Sequence, residues 1–192
     1  MNTNALETVG RSLVAAAALL TACADQAPVG PDRALSVAPA ASRNEKRAVD
    51  LDACPNLRVP AGSKLAFHVY AKGVQIYHWN GTSWAFDGPL AVLSADAEGN
   101  STVGTHYAGP TWESVSGGTV VGSVLERCSP NASSIAWLLL SAVPKGPGVF
   151  HRVAFIQRVN TVGGNAPSDR GSFVGAEARV PYTTEYFFYR AP

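Results

Sequence analysis

The sequence predicts an all-β fold, an antiparallel sandwich or barrel of about eight or nine short strands with little helix. Two observations support this. Short stretches of alternating apolar and polar residues recur after residue 63, and a period of two is typical of half-buried strands. Turn-forming residues separate these stretches, with 18 Gly and 13 Pro in the 192-residue chain. Short strands with frequent turns between them are typical of sandwiches and barrels.

The strands can be read in chain order from residue 64. We expect "AKG" (71–73) to turn the chain and Asn80-Gly81 to close a tight hairpin, since Asn-Gly is a strong hairpin signal. The run "IAWLLLSA" (135–142) is continuously apolar, so it is either a central buried strand or a short helix. "GAEARV" (175–180) suggests a helix. The candidate strands are 64–70, 74–79, 84–86, 90–95, 102–107, 119–126, 135–142, 149–159 and 183–190.

Residues 1–22 are typical of a bacterial lipoprotein signal peptide. The apolar run 12–20 is shorter than the ~20 residues that span a bilayer, as expected for a secretory signal. It ends in "LTAC", which resembles the bacterial lipobox and implies cleavage before Cys23 and acylation of its sulfur. An ordinary secretory signal cleaved near Cys23 is the alternative. Ala24 follows the cysteine, so we expect an exported protein anchored to the outer membrane, facing the periplasm or the cell surface.

The rest of the chain divides into a linker and one domain. Residues 23–52 are rich in Ala, Pro and Ser and contain no aromatic side chain, which predicts a lipid-anchored flexible linker. We expect a single β domain at 53–192. With Cys23 acylated, Cys54 and Cys128 remain as an even pair in an oxidising compartment, which favours a disulfide between them over two separate thiols.

Charge and motifs narrow the function classes. The chain has 15 basic and 14 acidic side chains without a basic cluster, which argues against nucleic-acid binding. No dinucleotide-binding or phosphate-loop glycine pattern is present, so we expect no cofactor. The four histidines lack the tight spacing of metal ligands, so we expect no metal. The expected partners are a membrane, through the lipid anchor, and a small-molecule or glycan ligand.

Several segments resemble the domain-of-unknown-function family 3455. The resemblance implies a secreted or anchored domain of bacterial or fungal type and brings no established activity. The segments, in order, are "YAKGVQIY" (70–77), "HYAGPTWES" (106–114), "IAWLLL" (135–140), "FIQRVNTVGGNAP" (155–167) and "VPYTTEYFFYR" (180–190).

The segment "HYAGPTWES" carries the candidate chemistry. His106 and Glu113 have the side chains of a general acid/base pair, and the Gly109-Pro110 corner could turn both into one cleft. The structural alternative is that His106 and Tyr107 end a strand and Trp112 fills the rim of the barrel. A hydrolase using His106 and Glu113 is therefore one hypothesis.

A second group of residues suggests ligand binding. Flat aromatic side chains at strand ends can stack on sugars or other apolar ligands, and they also serve as core residues. The candidates are Trp79, Trp84, Tyr107 and Trp112. Arg158 and Arg170 could face an anionic ligand, although an arginine within a strand also covers a sheet face with its stem. The expected function is small-molecule or glycan binding through this aromatic cleft. A structural or protein-interaction role in the envelope is a further alternative.

Overall fold

The computed structural model describes residues 49–192, which form one antiparallel sheet closed into a barrel. The prediction of an all-β fold is confirmed, and of the two architectures expected the chain adopts the barrel. Within the described range the helical structure is one 3-10 turn at Pro55–Leu57. No helix in this range is long and apolar enough to cross a membrane. The signal peptide, Cys23 and most of the expected linker lie outside the described residues.

Eight strands follow one another around the barrel. Each pairs with the next along the chain, and the last pairs with the first. The strands are β1 (Lys64–Trp79), β2 (Trp84–Ser94), β3 (Thr102–Tyr107), β4 (Thr111–Ser114), β5 (Thr119–Cys128), β6 (Trp137–Lys145), β7 (Val153–Gly163) and β8 (Glu177–Arg190). Because the order is up-and-down, loops 80–83, 108–110, 129–136 and 164–176 lie at one end, here called the upper end.

The expected turn at 71–73 is wrong, because β1 continues through it. Lys72 pairs with Val92 of β2 on one side and Thr183 of β8 on the other, so the backbone has partners on both sides. Gly73 lets the backbones of β1 and β2 lie close together and does not form a turn. A Cβ there would collide with the backbone of β2.

The turn at Asn80-Gly81 is confirmed. The Asn80 N–H donates to the Ser83 carbonyl at 3.1 Å, and Gly81 adopts a φ of 98°. Its flanking strands are β1 and β2.

Two ambiguous segments are strands. Trp137–Lys145 is β6, and its run of leucines is apolar because both faces are covered. Leu138 and Leu140 belong to the barrel core, whereas Leu139 packs in a second cluster outside it. The helix expected at 175–180 is wrong, since Glu177–Arg190 is β8 and pairs with β1 and β7.

The interior of the lower end is packed with aromatic rings. Phe67 stacks on Phe188 with ring centroids 4.6 Å apart, and Phe150 packs against both. Val153 and Ile156 fill the space beside them. The cavity that forms the candidate site lies above this packing, towards the upper end.

The N-terminal segment 49–63 packs on the outside of the barrel. Leu51, Cys54 and Leu57 bury against Leu139, Val159 and Phe187, which face outward from β6, β7 and β8. The predicted disulfide Cys54–Cys128 is confirmed and fixes this segment to the end of β5. Val49 and Leu51 lie within the range expected to be linker (23–52), and their apolar side chains join this cluster.

Candidate functional site

A cavity of about 420 Å³ lies in the upper half of the barrel. Its wall combines apolar side chains with a few polar groups, the usual composition of a small-molecule site. An eight-stranded barrel is just wide enough to enclose side chains or one small ligand. Its lining includes Gln75, His106, Trp112, Val124, Arg127, Leu138, Leu140, Arg158 and Tyr186.

His106 and Trp112 form one wall of the cavity. They are directly paired across β3 and β4, and their rings stack with centroids 4.3 Å apart. The Thr111 carbonyl oxygen lies 2.8 Å from His106 Nδ1, and since a carbonyl only accepts, Nδ1 carries the proton. Burial lowers the pKa of His106 to about 3, so the imidazole is neutral near pH 7.

Buried polar atoms without hydrogen-bond partners are concentrated at this cavity. Among the described residues they include Gln75 Nε2, Trp112 Nε1 and the Tyr186 hydroxyl, all from residues of the cavity wall. The Tyr182 hydroxyl, near Gln75 and Tyr186, also lacks a well-formed hydrogen bond. A buried polar group left unpaired costs about 1–3 kcal/mol, so these atoms mark positions where a bound molecule or water can be stabilised.

Arg158 brings a positive charge to the same cavity. It lies on β7 between Leu138 of β6 and Tyr186 of β8, both of which face the interior. Its Nε and Nη2 donate to the Ala136 carbonyl at 3.1 and 2.7 Å. The sequence left open whether Arg158 faces a ligand or covers a sheet face. The register decides this, because it directs the side chain into the barrel. Arg170, in contrast, is exposed in the loop 164–176.

His106 and Glu113 are not brought together. The pairing of His106 with Trp112 directs both into the barrel, so Glu113, next to Trp112, points outward. There it accepts a hydrogen bond from the Tyr107 hydroxyl at 2.9 Å. This hydrogen bond and the charge of Glu113 raise the pKa of Tyr107. The geometry therefore offers no support for an acid/base pair made of His106 and Glu113.

Trp79 and Trp84 lie apart from the cavity wall, beneath the loop 164–176. They are a cross-strand pair with ring centroids 5.6 Å apart. Trp84 Nε1 donates to the Asp169 carbonyl at 2.7 Å, and Gly171 lies so close to Trp79 that a Cβ would collide with it. Of the four aromatic candidates, therefore, Trp112 lines the cavity, whereas Trp79 and Trp84 hold a loop and Tyr107 faces outward.

The cavity wall carries few types of polar group. The groups it offers are neutral donors and acceptors, one neutral imidazole and guanidinium groups, with no carboxylate in the wall. Within residues 49–192 no three His, Cys, Asp or Glu side chains are grouped so as to hold a metal ion.

Gln75 and Tyr186 were not singled out from the sequence, although a signal for them exists. Both occupy inward positions of strands whose other inward residues are mostly apolar, and a polar residue in such a position is the informative observation. Finding them requires the correct strand limits. With a turn assumed at 71–73, the side of the sheet that Gln75 faces could not be assigned.

Comparison with known proteins gives a family but no activity. No curated protein and no solved structure matches the chain. The sequence profile of one family, described as "Protein of unknown function (DUF3455)", matches residues 60–190, which contain all eight strands and every residue of the cavity wall. The chain belongs to this family of proteins of unknown function.

Proposed function

We propose that the protein binds a small molecule inside its barrel, through the upper end. The observation that carries the proposal is the coincidence of the 420 Å³ cavity with buried, unpaired polar atoms of Gln75, Trp112 and Tyr186. A cavity needed only for packing would be closed by larger apolar side chains, since protein interiors are close-packed. Polar atoms retained in its wall are what a bound molecule would use for orientation.

The interior cavity is a better candidate than an open aromatic groove for glycans. Trp84 donates its indole N–H to the Asp169 carbonyl, and Trp79 is buried against Gly171, so both side chains are engaged in holding the loop 164–176. Hydrolysis by His106 and Glu113 is disfavoured because the two residues occupy opposite faces of the sheet.

The proposal is tested with N-phenyl-1-naphthylamine, a neutral dye that fluoresces in apolar surroundings. The protein is the chain from residue 23 onward, with Cys23→Ser to leave it unacylated. Val124 lines the cavity near its entrance and is 38% exposed, so Val124→Trp can narrow the cavity without disturbing the packed lower core. We expect this change to weaken dye binding at least about tenfold.

Val143→Trp is the matched control. Val143 lies on the neighbouring strand β6 but is 55% exposed and does not line the cavity. We expect it to bind the dye as the parent does. Equal dye binding by both variants, or no binding by the parent, would contradict an interior site.

We also propose that the protein is an exported lipoprotein of the cell envelope, anchored at the outer membrane through Cys23. The support is the lipobox-like "LTAC" and the Cys54–Cys128 disulfide, which is typical of oxidising compartments. Metabolic labelling with palmitate in a bacterial host tests this. The full chain should be labelled and Cys23→Ser should not; equal labelling of the two, or none of either, would count against the anchor.

A further inference from the structure

The charge on the cavity wall is of one sign. Arg158 is half-buried in the wall and Arg127 is exposed, and no Asp or Glu side chain lines the cavity. Neither arginine forms a salt bridge with any residue in the range 49–192. A half-buried cation such as Arg158 interacts more strongly with an opposite charge than an exposed cation does, because solvent screens it less.

The neighbours of Arg158 do not supply the missing negative charge. Its positive charge acts on Tyr77, His106 and Tyr186, each of which is close enough for its titration to be affected. Burial nevertheless raises the pKa of Tyr186, and that of Tyr182, so both phenols stay neutral near pH 7. His106 is neutral for the reason given above. Arg158 is thus surrounded by neutral groups.

Arg158 also has donors to spare. A guanidinium carries five N–H groups in a planar fork, and two of its nitrogens are engaged by the single Ala136 carbonyl. That contact and the approach of the guanidinium to the Tyr186 hydroxyl orient the fork without neutralising it. Because both partners are neutral and the fork carries five N–H groups, donors remain for an anion. Arginine with free N–H groups is the side chain best suited to bind a carboxylate or a similar planar or tetrahedral anion.

We propose that the ligand of this cavity is a small organic anion, whose acidic group pairs with Arg158 while its apolar body lies along Trp112, Leu138 and Leu140. This inference rests on the proposed function and adds the chemical class of the ligand. The unpaired N–H groups of Trp112 and Gln75 are further donors in the same wall and suit oxygen atoms of the ligand. Arg127, nearer the entrance, attracts the anion towards it.

Two dyes of nearly identical shape separate this inference from the proposed function. 8-Anilino-1-naphthalenesulfonate is N-phenyl-1-naphthylamine with one sulfonate added. On the parent protein described above we expect the anionic dye to bind at least about tenfold tighter than the neutral one. Decanoate should likewise displace the anionic dye at concentrations at least about tenfold lower than 1-decanol does. These comparisons need no substitution at Arg158.

Arg158→Met and Arg158→Lys then assign the effect to the side chain. Arg158→Met should weaken the anionic dye about tenfold or more and the neutral dye by less than about threefold. Arg158→Lys retains the charge but not the fork, so it should lie between Arg158→Met and the parent. Thermal unfolding of each variant verifies that it is folded.

The possible results distinguish binding of an anion from binding of small molecules in general. Selective loss of the anionic dye in Arg158→Met supports the inference, as does the preference of the parent for anions. Equal affinity of the parent for both dyes, or for decanoate and 1-decanol, would overturn it and leave small-molecule binding standing. Failure of the parent to bind any of these probes would overturn the proposed function as well.

Discussion

The pairing register of β3 and β4 decides whether His106 and Glu113 can act together as an acid/base pair. Seven positions separate the two residues, and the turn between them could join the strands in more than one way. Pairing His106 with Trp112 directs the imidazole into the barrel and the carboxylate of Glu113 out of it. A shift of one residue would reverse the faces of one strand, and the sequence of the turn does not exclude it.

The buried imidazole makes stability depend on pH. The folded pKa of His106, about 3, lies below the unfolded value of 6.5, so as pH falls the unfolded chain takes up the proton first. The stabilisation is present above pH 6.5 and is lost progressively between pH 6.5 and about 3. We predict a loss of about 1.4 kcal/mol in unfolding free energy per pH unit in that interval, measured by urea unfolding.

His106→Gln is the comparison for this titration. It removes the ionisable ring and leaves His68, His78 and His151 in place, so their contributions cancel. Between pH 6.5 and 5 the parent should lose about 2 kcal/mol more than the variant. If the unfolding free energies of the two proteins changed with pH in parallel, the pKa of His106 would not be lowered in the folded state, which would contradict this prediction.

At the scale of strands, the sequence predicted correctly those features that depend on neighbouring residues, such as hairpin turns and the presence of strands. Asn80-Gly81 specifies its hairpin by backbone conformation alone, and the alternating and apolar runs became strands. The break expected at 71–73 failed because Gly73 is held in an extended strand by neighbours distant in sequence. The outward apolar residues of β6 to β8 could not be explained from the sequence either, since the segment that covers them precedes the barrel.

The Cys54–Cys128 bridge holds that covering segment in place. It links residues separated by 74 positions, and in the chain-entropy model a loop of this size contributes about 4 kcal/mol by restricting the unfolded chain. We predict that the double variant Cys54→Ser/Cys128→Ser loses about 3–4 kcal/mol of unfolding free energy, measured by urea unfolding. Hydrogen exchange should quicken first in residues 49–63, which hold few backbone bonds to the sheet.

Chemical reduction of the disulfide is the control for this prediction. Reducing agent should lower the stability of the parent by the same amount and leave the double variant unchanged. Unaltered exchange in 49–63 would mean that the apolar contacts of Leu51 and Leu57 hold the segment without the bridge.

At the scale of the whole molecule, closure of the sheet creates the candidate site. The period of two predicted alternating faces but not whether the strands would close on themselves or form two layers, because the pairing of β1 with β8 joins the two ends of the domain. Only closure places Gln75, Trp112 and Arg158 around one space. The sequence therefore identified individual residues, such as Trp112 and Arg158, without the cavity that unites them.

The four tryptophans provide the most direct test of that cavity. Their indole N–H groups give separate nuclear magnetic resonance signals, assigned by single Trp→Phe variants. Trp112 lines the cavity with its N–H unpaired, whereas the N–H of Trp84 is bonded to Asp169 outside it. On titration with 8-anilino-1-naphthalenesulfonate we predict that the Trp112 signal shifts in a saturable manner and the Trp84 signal stays in place. A saturable shift of Trp84 with Trp112 unmoved would contradict binding inside the barrel.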